Sequence, residues 1–131
     1  MATVIKNPSL EVFEKWGEGV EKQVGKGNYS MDNSTLIATA PYAQLKYMGG
    51  PINSGTLEGD EGSTLISFQA ESFADGQKAL KRVYQIDEAS HQAMMSMGFR
   101  RTYGPELVEN ADKNIRRCIS RYSMIYTGKT L

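Results

Sequence analysis

From residue 64 to residue 73 the chain alternates strictly. Ile66, Phe68 and Ala70 point one way, and Ser67, Gln69 and Glu71 the other. A period of two marks a strand with one face on a core and the other turned away from it. An acidic, glycine-bearing run, Leu57-Glu58-Gly59-Asp60-Glu61-Gly62, leads into this segment. A helical stretch ending at Met97-Gly98-Phe99 follows it, and two arginine-rich, strand-like segments, residues 99–103 and 115–126, close the block. Residues 57–126 therefore read as one continuous α+β unit. Its charge sits on strands and a loop, as on surfaces that meet other proteins.

The N-terminal part supplies a helix and one more strand. Leu10, Phe13, Trp16, Val20 and Val24 recur near a period of 3.6, with Ser9 as the expected N-cap and Gly25 and Gly27 as the stop. Gly17 and Gly19 each weaken such a helix by roughly 1 kcal/mol relative to alanine, so it depends on packing. Residues 28–35 are polar and turn-rich and predict a loop. Residues 36–47 predict a strand, with Ala43, Leu45 and Tyr47 on one face, Gln44 and Lys46 on the other, and Pro41 breaking its first half. Residues 48–63 predict a long loop, longer than a hairpin needs. The helical stretch begins near Asp75-Gly76, with Ala79, Leu80, Val83 and Tyr84 on one side. Asp87 predicts a second N-cap and hence a bend near Ile86-Asp87. Gly104-Pro105 ends the strand of residues 99–103. Along residues 115–126, Cys118, Tyr122, Met124 and Tyr126 share one face, and Arg117, Ile119, Arg121 and Ile125 share the other.

The expected fold is a single α+β domain over residues 1–131. It has a small four-stranded, mostly antiparallel sheet with helices packed on one face, and a short C-terminal tail that frays. A chain of 131 residues with 40% hydrophobic content is long enough to bury one core. The single cysteine, Cys118, excludes an intrachain disulfide and a Cys-rich metal site. No apolar run approaches the roughly 20 residues of a membrane span, and residues 1–20 carry no signal-peptide pattern.

Net charge is zero, which gives no global attraction to nucleic acid or membranes. The zero hides an asymmetry. Residues 1–75 hold ten acids against five lysines, and residues 76–131 hold ten bases against five acids. Such a chain can pair with copies of itself, or its two halves can pair within one molecule.

No catalytic constellation stands out. His91, the only histidine, sits in mid-helix with no orienting partner in its motif. Cys118 lies in an alternating strand, where a small buried residue is expected. Glu58, Asp60 and Glu61 cluster three carboxylates but lack the ligand order of a calcium loop. The glycine pairs lack the context of a phosphate loop. The expectation is no catalytic, cofactor or metal residue and no cofactor. Five of the six arginines, at 100, 101, 116, 117 and 121, fall on two strands with Tyr103, Tyr122 and Tyr126 between them. An Arg/Tyr sheet can bind single strands by stacking, but arginine is equally suited to carboxylates across a protein interface, and solvated arginines on an exposed face would look the same.

Three runs carry a resemblance: Ala40-Pro41-Tyr42-Ala43-Gln44-Leu45-Lys46-Tyr47, then Ser54-Gly55-Thr56-Leu57-Glu58-Gly59-Asp60-Glu61, then Ser67-Phe68-Gln69-Ala70-Glu71-Ser72-Phe73. In order, size and local character the chain resembles the tail-terminator proteins of long-tailed bacteriophages, also called tail-completion, head–tail joining or minor capsid proteins. Met97-Gly98-Phe99-Arg100-Arg101-Thr102 and Arg121-Tyr122-Ser123-Met124-Ile125-Tyr126 sit where such proteins have their closing strands. The resemblance implies a non-enzymatic virion protein of the tail or neck, assembled in the host cytoplasm. It implies a homo-oligomer, a hexameric ring that caps the major tail tube protein and meets the head–tail connector or stopper protein. DNA passes through the ring without sequence-specific binding, and no membrane is involved. From the residues themselves, Glu58, Asp60, Glu61, Arg100, Arg101, Arg117 and Arg121 are the expected subunit or partner contacts. The alternatives are another neck component, a stopper or adaptor, or a small nucleic-acid-binding module using the Arg/Tyr sheet.

Overall fold

The computed structural model describes residues 7–31, 40–49, 52–53, 63–110, 112–128 and 131, with residues 52–53 described by their backbone pairing. In chain order the elements are α1 (Ser9–Val24), β1 (Tyr29–Met31), β2 (Tyr42–Tyr47), β3 (Ile52–Asn53), β4 (Ser63–Asp75), α2 (Ala79–Ser96), β5 (Arg100–Val108) and β6 (Ile115–Tyr126). Among the described residues the sheet has six strands where four were expected, in the order β1-β2-β4-β6-β5, with β3 pairing β4. β1 runs parallel to β2, and the other pairings are antiparallel. The α+β class holds, with both helices packed on one face of the sheet.

The centre is the β4–β6 ladder, twelve continuous rows from Thr64 opposite Tyr126 to Asp75 opposite Ile115. Its strict alternation sorts the side chains. Ile66, Phe68, Ala70, Tyr122 and Tyr126 join Ala43 and Leu45 of β2 against Val12, Trp16, Val20 and Val24 of α1 and Ile86 and Met94 of α2. Each such fully buried large apolar side chain stabilises the fold by about 1.5–3 kcal/mol. A smaller cluster of Ala74, Ala79, Val83 and Cys118 continues the core towards the start of α2.

The two glycines that weaken α1 mark close approaches. A Cβ on Gly17 would stand 2.4 Å from the Tyr29 ring, and one on Gly19 would stand 2.8 Å from the Ala93 Cβ of α2. Tyr29 and α2 come close because these positions carry no side chain, and the packing more than offsets the lost propensity.

Several local expectations are corrected. Ser9 is the first residue of α1 and not its cap. Pro8 occupies the cap position, and Asn7 Oδ1 accepts the Ser9 N–H at 3.0 Å. Leu10 is 71% exposed, because it lies on the far side of α1 from the Trp16 line. Residues 29–31, expected in a loop, pair with residues 43–45, and the Asn28 side-chain amide donates to the Pro41 carbonyl beside them. The segment expected as a long loop, residues 48–63, is paired at its described positions, and residues 50–51 and 54–62 lie outside the described residues. Met48 and Gly49 bond to Ser67, and residues 52–53 pair with residues 63–64, so β3 prolongs the β2 edge along β4. α2 is one uninterrupted helix. Asp87 caps nothing; its carboxylate accepts from Arg101 and Ser120 of the sheet. Leu80 and Tyr84 point to solvent, while Ala79, Val83, Ile86, Ser90 and Met94 form the buried line. Gly104-Pro105 does not end β5, which continues to Val108 through register shifts.

Candidate interaction face

No described helix covers the second face of the sheet. Counting outward along the rows, that face carries Leu65 with Ile125, Ser67 with Ser123, Gln69 with Arg121, Glu71 with Ile119, and Phe73 with Arg117. β2 adds Tyr42, Gln44 and Lys46, and β5 adds Arg100 and Tyr103. Directly opposed residues of an antiparallel ladder share a face, so these side chains form one surface.

Sequence alternation expected Gln69 and Glu71 on the outward side. They point that way but are buried, Glu71 to 1%. Long neighbours fold over the carboxylate. Arg117 donates from Nε at 2.7 Å to Oε1 and brings Nη2 within 2.5 Å of the same oxygen. Lys46 Nζ lies 2.9 Å from Oε2, and Gln69 Nε2 donates to that oxygen at 3.2 Å. Burial alone would raise the pKa of Glu71. The hydrogen bonds and positive charges of Lys46 and Arg117 outweigh it and hold the carboxyl below the ordinary range. Burial is also the main cause that raises the pKa of Tyr42, with the Glu71 charge adding and Arg117 opposing. Tyr42 stacks on Phe73 at 4.3 Å between ring centroids, and the Arg117 guanidinium lies 6.0 Å from the Phe73 ring.

The middle of the face is set differently. Arg121 donates from Nε to Gln69 Oε1 at 2.9 Å and lies 4.9 Å over the Tyr103 ring. Its position is fixed, yet it stays exposed. Ser67 and Ser123 hydroxyls bond at 2.8 Å, and Arg100, opposite Ser123, is exposed. The end of the face is apolar, with Leu65 38% and Ile125 56% exposed.

Of the expected contact residues, Arg100, Arg117 and Arg121 share this face. Arg101 does not. It pairs with the row of Tyr122, points to the helix side and binds Asp87 through Nη2 at 2.9 Å. Adjacent strand residues point to opposite faces, so the doublet Arg100-Arg101 already carried that signal. Glu58, Asp60 and Glu61 lie outside the described residues. Tyr122 and Tyr126, expected among the arginines, are buried in the core, which leaves Tyr103, Tyr42 and the Phe73 ring stacked on Tyr42 as the described aromatics of this face.

The helix side holds a second polar group. Asp87 accepts from Ser120 at 2.7 Å and from Arg101. Arg101 also donates to the Tyr122 hydroxyl at 3.1 Å, and His91 Nδ1 lies 3.2 Å from that hydroxyl. His91 thus gains a partner that its sequence context did not show. Burial first, then the Arg101 charge, lower its pKa. Burial of Cys118, with the nearby Asp87 carboxylate, pushes its thiol up to about 12, so it stays protonated. The network fastens the middle of α2 to β5 and β6, as Trp16 Nε1, donating to Ser90 at 2.8 Å, fastens α1 to α2.

Among the described residues no group of three or more His, Cys, Asp and Glu side chains is placed to hold a metal. No described helix is long and apolar enough to cross a membrane. No protein-family model matches the chain, and no curated protein matches it.

Proposed function

We propose that this protein is a virion structural subunit, a tail terminator that assembles as a hexameric ring, caps the tail tube and joins it to the head connector. The observation that carries the reading is the sheet face that no described helix covers. On a twelve-row ladder it presents the exposed side chains Arg100, Arg121, Leu65 and Ile125. Exposed arginines beside exposed apolar side chains are the composition of a protein contact surface. The resemblance along residues 40–73 names the kind of assembly.

On this reading the protein performs no reaction. Among the described residues the two buried carboxylates are compensated, Glu71 by Lys46 and Arg117, and Asp87 by Arg101. DNA passes through the ring without base-specific contact. Glu58, Asp60 and Glu61 meet the tube protein or a neighbouring subunit.

The test is native mass measurement of the purified chain, alone and with tube protein, followed by imaging of tube ends. A ring of discrete mass seated on tube ends is the expected result. A chain that stays monomeric in both samples, or that binds only on the portal side, overturns the terminator assignment. Reversing charge at Asp60 and Glu61 is expected to weaken ring assembly or tube capping.

A further inference from the structure

Leu10, Glu14, Glu18 and Lys22 recur every four residues along α1, and all four are exposed. They lie two residues, or about 200° around the helix, from the buried line Val12, Trp16, Val20 and Val24. This stripe therefore faces directly away from the sheet. Among the described residues, Glu14 and Glu18 make no ion pair.

The sheet face that no described helix covers carries the complementary series. Its rows run from Leu65 with Ile125, to Ser123 with Arg100, to Arg121 with Lys46 nearby across Gln69, to Ile119 with the exposed Glu106 of β5. In signs, the helix reads apolar, minus, minus, plus, and the sheet reads apolar, plus, plus, minus. The spacings agree too. Four helical residues advance about 6 Å, and two strand residues advance about 6.8 Å. With Leu10 on Leu65 and Ile125, Glu14 falls at Arg100, Glu18 at Arg121 and Lys22 at Glu106. The cumulative mismatch stays near 2–3 Å at the fourth row, within reach of these long side chains.

The two surfaces lie on opposite sides of the domain, so one chain cannot bring them together. From this juxtaposition we infer that the occupant of the open sheet face is α1 of a second copy of the same chain, in a head-to-tail contact. The contact is heterologous: it uses two different patches, and it repeats until the rotation closes a ring. The inference rests on the self-assembly proposed above and assigns its interface.

A charge-swap experiment tests it on the full chain. One variant carries Glu14→Arg and Glu18→Arg, and a second carries Arg100→Glu and Arg121→Glu. All four positions are exposed, and circular dichroism with thermal melting checks that each variant folds. If the first does not fold, a Glu14→Lys, Glu18→Lys chain, which keeps the helix basic, replaces it. Sedimentation velocity at low salt is expected to show an assembled wild type, and each variant alone weakened on the order of tenfold or more. Mixing the two variants restores assembly, because the basic helix of one meets the acidic sheet of the other and the remaining contacts are wild-type pairs. Added salt weakens all of these contacts.

A wild type whose assembly is indifferent to both swaps overturns this interface. So does a mixture of folded variants that fails to recover. If such a wild type still caps tubes, the terminator reading stands and only the interface falls. If the mixture recovers but the product is an open filament that caps nothing, the interface stands and the terminator reading falls. A wild type that stays monomeric both alone and with tube protein removes both.

Discussion

Arg117 holds the carboxylate of Glu71 on the face of the sheet that no described helix covers, with Nε and Nη2 both on one oxygen at 2.7 and 2.5 Å. Glu71 is 1% exposed there, although its strand position is an outward one. Removing Arg117 strips both donors from Oε1 and leaves the buried carboxylate with Lys46 as its one described cation. Arg117→Met is expected to cost about 3 kcal/mol, read as a lower urea midpoint. Replacing both residues by leucine is expected to recover most of that loss, because the buried carboxylate is then gone.

The same site sets a pH dependence. Glu71 has its pKa lowered in the folded chain. Its stabilising contribution is therefore complete above the ordinary carboxyl pKa and is lost as pH falls through the lower folded value. Unfolding midpoints measured from pH 7 to pH 3 are expected to fall in the acid range. The slope is expected to be shallower in Glu71→Gln, which has no charge to lose.

Asp87 is buried in mid-helix with two donors from the sheet, Arg101 and Ser120. Asp87→Ala strands the Arg101 guanidinium, whose Nε already lacks a hydrogen-bond partner. The expected cost is about 3 kcal/mol. Hydrogen exchange is expected to rise at the start of β5 and in the middle of α2 more than in β1. An Asp87 acting as a helix cap would instead loosen only the residues that follow it.

Gly19 and Ala93 set the distance between the helices. Gly19→Ala gains up to about 1 kcal/mol in helix propensity, but its methyl would stand 2.8 Å from the Ala93 Cβ, and such overpacking costs about 1–3 kcal/mol. A net loss near 1 kcal/mol is expected. Combining it with Ala93→Gly is expected to give a double variant more stable than the sum of the singles, which a double-mutant cycle measures.

Cys118 is fully buried and its thiol is raised to about 12. Reaction with a disulfide reagent at pH 8 is expected to be slow and to follow the opening of the fold. Labelling should accelerate sharply only as denaturant approaches the unfolding midpoint. Rapid labelling of the native chain would contradict this burial.

Periodicity made the core of this fold legible. The alternation in residues 64–73 and 115–126 assigned inner and outer faces correctly, because the two strands pair row for row without a shift. β1 was not legible. Three half-buried residues, Tyr29, Ser30 and Met31, become a strand only because β2, distant in sequence, offers a free edge. Asp87 misled because an aspartate ahead of a helical run resembles a cap, and only the positions of Arg101 and Ser120 show where its carboxylate goes. The candidate face divides in the same way. The shared side of Arg117 and Arg121 follows from parity, whereas the shielding of Glu71 depends on cross-strand neighbours that no local window contains.

The β4–β6 ladder also has a mechanical meaning. Twelve rows at roughly 3.4 Å each make a spar of about 40 Å. A load drawn along the strands must shear every row at once, while a load across them opens one row at a time. The domain is therefore stiff along one axis and weak at right angles to it. Any assembly that has to bear tension would align that axis with the pull.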